Sequence, residues 1–180
     1  MAFEQEYLTV IQRRFYSVKK LGDDTLSQLS DEDIQWRLNE QSNSISVIVK
    51  HMYGNMLSRW TDFLITDGEK TTRNRDEEFN DTVTMKEDVH SLWEGGWGVV
   101  LNALEALEPS DLGKTITIRG EAHSVIDAIE RQLAHYAYHV GQVVYIGKQI
   151  KGRDWKTLSI PIGKSQEYLE DMLKKHGSDK

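Results

Sequence analysis

Proline occurs at only two positions in this chain, Pro109 and Pro161, and both lie outside the stretches where apolar residues recur every three or four positions. In a helix interior proline removes a hydrogen-bond donor and clashes with the preceding turn, so long proline-free periodic stretches constrain the chain toward helices. The first such stretch runs from about Ala2 to Leu21, with Phe3, Tyr7, Val10, Ile11, Phe15 and Val18 at helical spacing. The second follows Asn43 or Ser44, either of which can cap it, and extends towards Gly68. Its buried stripe is expected to be Ile45, Ile48, Val49, Met52, Met56, Trp60 and Phe63. The third opens at Thr84, where Glu87 completes a capping-box pattern, and reaches about Leu107. The fourth opens after Ser124 and ends near Lys151, just before Gly152. Ser30 and Asp33 mark a short helical turn, and a last helix is expected over residues 165 to 175.

Two segments break this pattern. Between Leu112 and Arg119 the period changes to two, as it does from Leu158 to Gly163, which makes the two segments candidates to pair as a minor two-stranded element. Inside the third helix stand Gly95, Gly96 and Gly98, each costing about 1 kcal/mol relative to alanine. Either a helix or ligand approaches closely there, or the helix kinks near Gly96. The connector "DGEKTTRNRDEEFND" is long and carries both signs of charge, and its ordinary reading is a solvated link. The expected fold is therefore all-α: one domain over residues 1–180, a four-helix bundle with a short C-terminal helix and the minor two-stranded element.

The chain has no cysteine, which excludes disulfides, thiolate metal ligands and a cysteine nucleophile, and leaves any metal to His, Asp or Glu. A net charge of -7 argues against a nucleic-acid partner, although it leaves room for a small basic pocket. With Glu4 and Glu6 near its start, and no apolar run approaching the roughly 20 residues of a membrane span, the chain reads as a cytoplasmic protein acting on a small molecule.

His135 and His139 stand one turn apart in "RQLAHYAYHVGQ". At 100° per residue they share one flank of the apolar face formed by Val125, Ile129, Leu133, Tyr136, Val140, Val143 and Val144. With six histidines in the chain, such a pair arises by chance roughly one time in six. The pair alone therefore leaves open both a shared cation and a polar helix boundary. His51, on the flank of the second helix with Asn55 one turn on, can supply a third nitrogen where the two helices meet. Arg131 and Gln142 share the flank of the histidine pair. Arg131 can bind a carboxylate, whereas Asn55 and Gln142 can orient ligands or substrate, and each is equally at home as ordinary boundary polarity. His90, His123 and His176 are read as structural or surface residues, and Trp60, Trp93 and Trp97 as core or the wall of an apolar pocket. Asp76 and Glu77 are the loop carboxylates read as able to reach the site.

The segments "NSISVIVKHMYGN", "SRWTDFLITDGEKTTRNRDEEF" and "RQLAHYAYHVGQVVYIGK", in that order, resemble the DinB-like superfamily and its YfiT-type members. The resemblance spans most of the chain. It implies a four-helix bundle, commonly a homodimer, with a divalent metal held by three histidines. Carried onto this sequence, those ligands are His51, His135 and His139. Implied activities include transfer of a low-molecular-weight thiol such as bacillithiol to an electrophile. A zinc or nickel ion held this way would activate a thiol or water. Because the chain lacks cysteine, the thiol would be a co-substrate. Metal-dependent hydrolysis and non-catalytic metal or ligand binding in a stress response are the alternatives.

Overall fold

A computed structural model describes residues 3–177. Its elements are α1 (Phe3–Leu26), α2 (Asp31–Gln35), α3 (Ile45–Trp60), α4 (Lys86–Glu105), β1 (Thr115–Ile118), β2 (Glu121–Ser124), α5 (Val125–Lys151) and α6 (Ser165–His176). Short 3₁₀ turns lie at Asp76–Phe79, Pro109–Asp111 and Gly152–Asp154. The fold is mostly helical with one small antiparallel sheet. Helix α3 packs on α4 and α1 on α5, and contacts of α1 with α4 and of α3 with α5 join the two pairs. Among the described residues, no helix is long and apolar enough to cross a membrane.

The stripes predicted for the long helices form the core between these pairs. Phe15, Trp60, Trp97 and Tyr136 meet edge to face at its centre, and Trp93 is buried beside Trp97, so the three tryptophans are core. Helix α1 runs five residues beyond Leu21, while Ala2 lies outside the described residues. Phe3 is 73% exposed, and Leu8 is buried on α1 in its place. Helix α3 starts where expected, with the Ser44 hydroxyl accepting from the Val47 N–H, but ends at Trp60 rather than near Gly68. The chain turns there through Asp62, whose φ is positive.

Three further expectations need correction, and of the two readings of the α4 glycines, close approach of a helix holds. The Thr84–Glu87 capping box does not form; the Asp31 carboxylate at the start of α2 accepts from the Lys86 N–H at 2.6 Å and serves the first turn of α4 instead. No break occurs at Gly96, because α4 is continuous and packs tightly on α3: a Cβ there would stand 2.8 Å from the Met56 sulfur and 3.4 Å from the Tyr53 Cα. The strand partner of β1 is Glu121–Ser124, in register from Thr115 opposite Ser124 to Ile118 opposite Glu121, and residues 158–163 form no strand. The local partner wins because Arg119 and Gly120, with φ of 57° and 77°, close a two-residue hairpin of the kind that matches strand twist. Finally, the charged connector is not simply solvated: Glu78 and the side chain of Arg73 are buried against α3.

Candidate metal centre

The centre is built on α3 and α5. One turn of α5 sets His135 and His139 side by side, with their Nε2 atoms 3.0 Å apart, and α3 presents His51 from across the groove. One ligand atom from each of the three lies within 4.8 Å of the others, so the group could hold a metal ion. Two nitrogens on one zinc-like ion, at about 2.0–2.1 Å each, stand roughly 3.3 Å apart, close to the separation of the α5 pair.

The outer nitrogens are already occupied. The Nδ1–H of His51 donates to Glu78 Oε2 at 2.9 Å, and the Nδ1–H of His139 donates to Gln142 Oε1 at 3.0 Å. Each bond fixes a tautomer that leaves the Nε2 lone pair facing inward, the second partner a histidine ligand needs. Facing Nε2 atoms at 3.0 Å require a proton or a cation between them. Burial lowers the pKa of His135 to about 3, with the nearby imidazoles and the Arg59 and Arg73 guanidiniums adding to the effect. His139 is also lowered, by burial that the Gln142 contact only partly offsets. Both stay neutral at pH 7, the state that binds a metal.

The carboxylate that reaches the centre is Glu78 rather than Asp76 or Glu77, which are exposed and, among the described residues, form no hydrogen bond to the three histidines. Burial raises the Glu78 pKa, but the bidentate bond from Arg73 (2.7 and 2.9 Å) and the His51 bond outweigh it and hold the carboxyl below its ordinary value. Gly54 makes its approach possible: a Cβ on this turn of α3 would lie 2.2 Å from Glu78 Oε1. The next residue, Phe79, stacks on the His51 ring at 4.9 Å and carries the Arg75 guanidinium 5.1 Å above its own ring. The available signal was the length of a mixed-charge connector with one aromatic in it.

A cavity of about 230 Å³ adjoins the histidines, lined by His51, Asn55, Gln132 and His135 and by five arginines, at positions 59, 73, 75, 119 and 131. The hairpin delivers Arg119. Asp67 accepts from the N–H groups of Glu69, Arg119 and Gly120 at 2.7, 2.8 and 2.9 Å, which pins the hairpin turn to the connector and holds the Asp67 carboxyl well below its ordinary value. Glu69 then bridges Arg59 (3.0 Å) and Arg119 (2.9 Å). Of the supporting residues read from sequence, Arg131 and Asn55 line this cavity and Gln142 holds His139. Asn55 Oδ1 also accepts from the Tyr136 hydroxyl at 3.0 Å, which in turn accepts from the Trp60 indole at 2.9 Å. His123 contacts Asp127 at 2.6 Å, and neither it nor His90 nor His176 belongs to the three-histidine group.

A family model described as "Protein of unknown function (DUF1572)" matches residues 2–164, and the chain belongs to that family. No curated protein matches the chain.

Proposed function

We propose that the chain is a metal-dependent enzyme of the DinB/YfiT kind, its four long helices packed as a bundle, which transfers a low-molecular-weight thiol to an electrophile. The observation that carries this reading is the convergence of His51, His135 and His139 on one point beside an accessible cavity. Three protein nitrogens leave positions open for a reactant, as catalytic rather than structural sites do. Zinc or nickel held there supplies Lewis acidity, which favours the ionised form of a thiol or of water at neutral pH.

The chain's own groups then position and polarise. Glu78 and Gln142 fix the ligand rings, and the Tyr136–Asn55 bond steadies one wall of the cavity. Both carboxylates nearest the cavity are held by arginines: Glu69 and Glu78 each have a lowered pKa despite burial, which makes them poor proton acceptors. That favours a thiol, with an ordinary pKa of about 8.5, over water at about 15.7, because the thiol needs less help to ionise. In the transfer, the thiol proton passes to solvent water, a sulfur–carbon bond forms, and the bond from that carbon to its leaving group breaks. The leaving group departs with the electron pair.

Elemental analysis of untagged protein should find about one divalent metal per chain. Metal-loaded protein, given a panel of low-molecular-weight thiols and a fluorogenic alkyl halide, should conjugate at least one thiol faster than chelated protein does. Equal rates for every thiol would overturn the transferase reading and leave a metal-binding protein.

A further inference from the structure

We propose that the arginine-lined cavity is a subsite for an oxyanion, carboxylate or phosphate, that belongs to a reactant held beside the three histidines. The proposal rests on the catalytic reading only for whose oxyanion it is; binding of the anion stands on the cavity itself.

In a chain with a net charge of -7, five arginines meet around one small space, and all nine residues lining it are polar. Among the described residues, two carboxylates pair with these arginines. Glu69 is shared among Arg59, Arg119 and, at 3.5 Å, Arg73, and Glu78 is taken by Arg73 and His51. Among the described residues, Arg75 and Arg131 form no ion pair, so three positive charges are in excess. The unpaired guanidiniums, exposed at the mouth, repel the buried pair Arg59 and Arg73 behind them, a cost that stability alone gives no reason to carry. An entering anion removes that cost.

Unpaired atoms point the same way. Arg59 is 5% exposed, and its Nε–H has no acceptor. The side chain of Arg73 is 4% exposed, and its Nη1 has no hydrogen-bond partner, the Glu69 oxygen at 3.5 Å being too distant. Buried guanidinium donors left without acceptors are costly, and an oxyanion is their natural complement. Gln132, 3% exposed, lines the same cavity and has a side-chain oxygen without a donor. The hairpin turn, pinned by the Asp67 bonds, sets Arg119 at this wall.

Calorimetric titration of full-length, metal-loaded protein with inorganic phosphate and, separately, succinate tests the subsite. At least one should bind, and the tighter one identifies the oxyanion. Arg131→Ala and Arg75→Ala should each weaken binding by about tenfold or more, with metal content and circular dichroism unchanged. Both residues are exposed and unpaired by carboxylates, so folding is not at stake. Arg153→Ala, which removes an exposed charge outside the cavity, should leave binding as it was. Failure of both anions to bind, or binding by both cavity variants as tight as that of the unaltered protein, would overturn the proposal. So would binding that disappears on chelation yet ignores the arginines, since the anions would then be ligands of the ion. Arginine-dependent binding without conjugation of any thiol would overturn the transferase reading alone. Conjugation without arginine-dependent binding would overturn the subsite alone.

Discussion

On α5, His135 and His139 stand together because any helix sets residues four apart on one face; nothing beyond the helix itself is needed. Across the cavity, in residues 67–80, no long helix sets Glu69, Arg73 and Glu78 on one face. Each is held by a different neighbour: Glu69 by Arg59 and Arg119, Arg73 by Glu78, and Glu78 by His51. The helix thus supplies candidate ligands whose geometry survives the loss of a partner. The connector supplies partners whose geometry depends on one another. Its members are buried charges, which are costly when unpaired.

That contrast can be broken by paired substitutions. His139→Ala should have the largest effect on metal, lowering the content from about one per chain to near zero. The unfolding free energy of the chelated protein should change by only about 1 kcal/mol or less, since the ring is half-buried and α5 continues past it. Retention of full metal content by this variant would remove the α5 pair from the centre. Glu78→Ala should weaken metal binding less, by about 10–100-fold, because His51 remains but loses its orienting carboxylate. The same change should cost the fold far more, about 3–5 kcal/mol, as it leaves the Arg73 guanidinium buried without its main partner. Denaturant melts of the two chelated variants measure the difference. If Glu78→Ala unfolds no more easily than His139→Ala, the connector is not held by charge pairing.

The same contrast accounts for what could be read without coordinates. Periodicity carries the helices and places His51, His135 and His139 on flanks, because helical contacts lie within four residues. Glu78 was illegible, since its burial depends on Gly54 and His51 on α3, more than twenty residues away, and on no periodic pattern. Arg119 was passed over as the end of an alternating strand, whereas the hairpin turn makes it a cavity residue. The misassigned partner of β1 has the same origin: alternation marks a strand but not its mate, and here a two-residue turn decided it.

Gln142→Ala should have a smaller effect on metal than Glu78→Ala, about tenfold or less. It removes an uncharged orienting bond from His139 and leaves no buried charge behind. An effect as large as that of Glu78→Ala would mean that Gln142 contacts a reactant or the ion itself.

Acid offers the gentlest way to separate the two regions. In chelated protein the His135 pKa falls from an ordinary 6.5 to about 3, so between these values the unfolded chain binds a proton that the folded chain refuses. Its contribution to stability is therefore complete above pH 6.5 and lost as pH falls toward 3. Because His135 is only partly buried and solvent screens its neighbours, the loss between pH 6.5 and 5.5 should be no more than about 1 kcal/mol. Glu69 and Glu78 are lowered from an ordinary 4.5, so their contribution is complete above that pH and is lost only below it. Denaturant melts at pH 7.0, 5.5 and 4.0 should then show an upper loss that His135→Ala reduces, His139 carrying the remainder, and a further loss below pH 4.5 of which the carboxylate part persists in that variant. If His135→Ala keeps the upper loss in full, the half-buried His135 imidazole is not a source of it, and the helix would owe its acid sensitivity to another group.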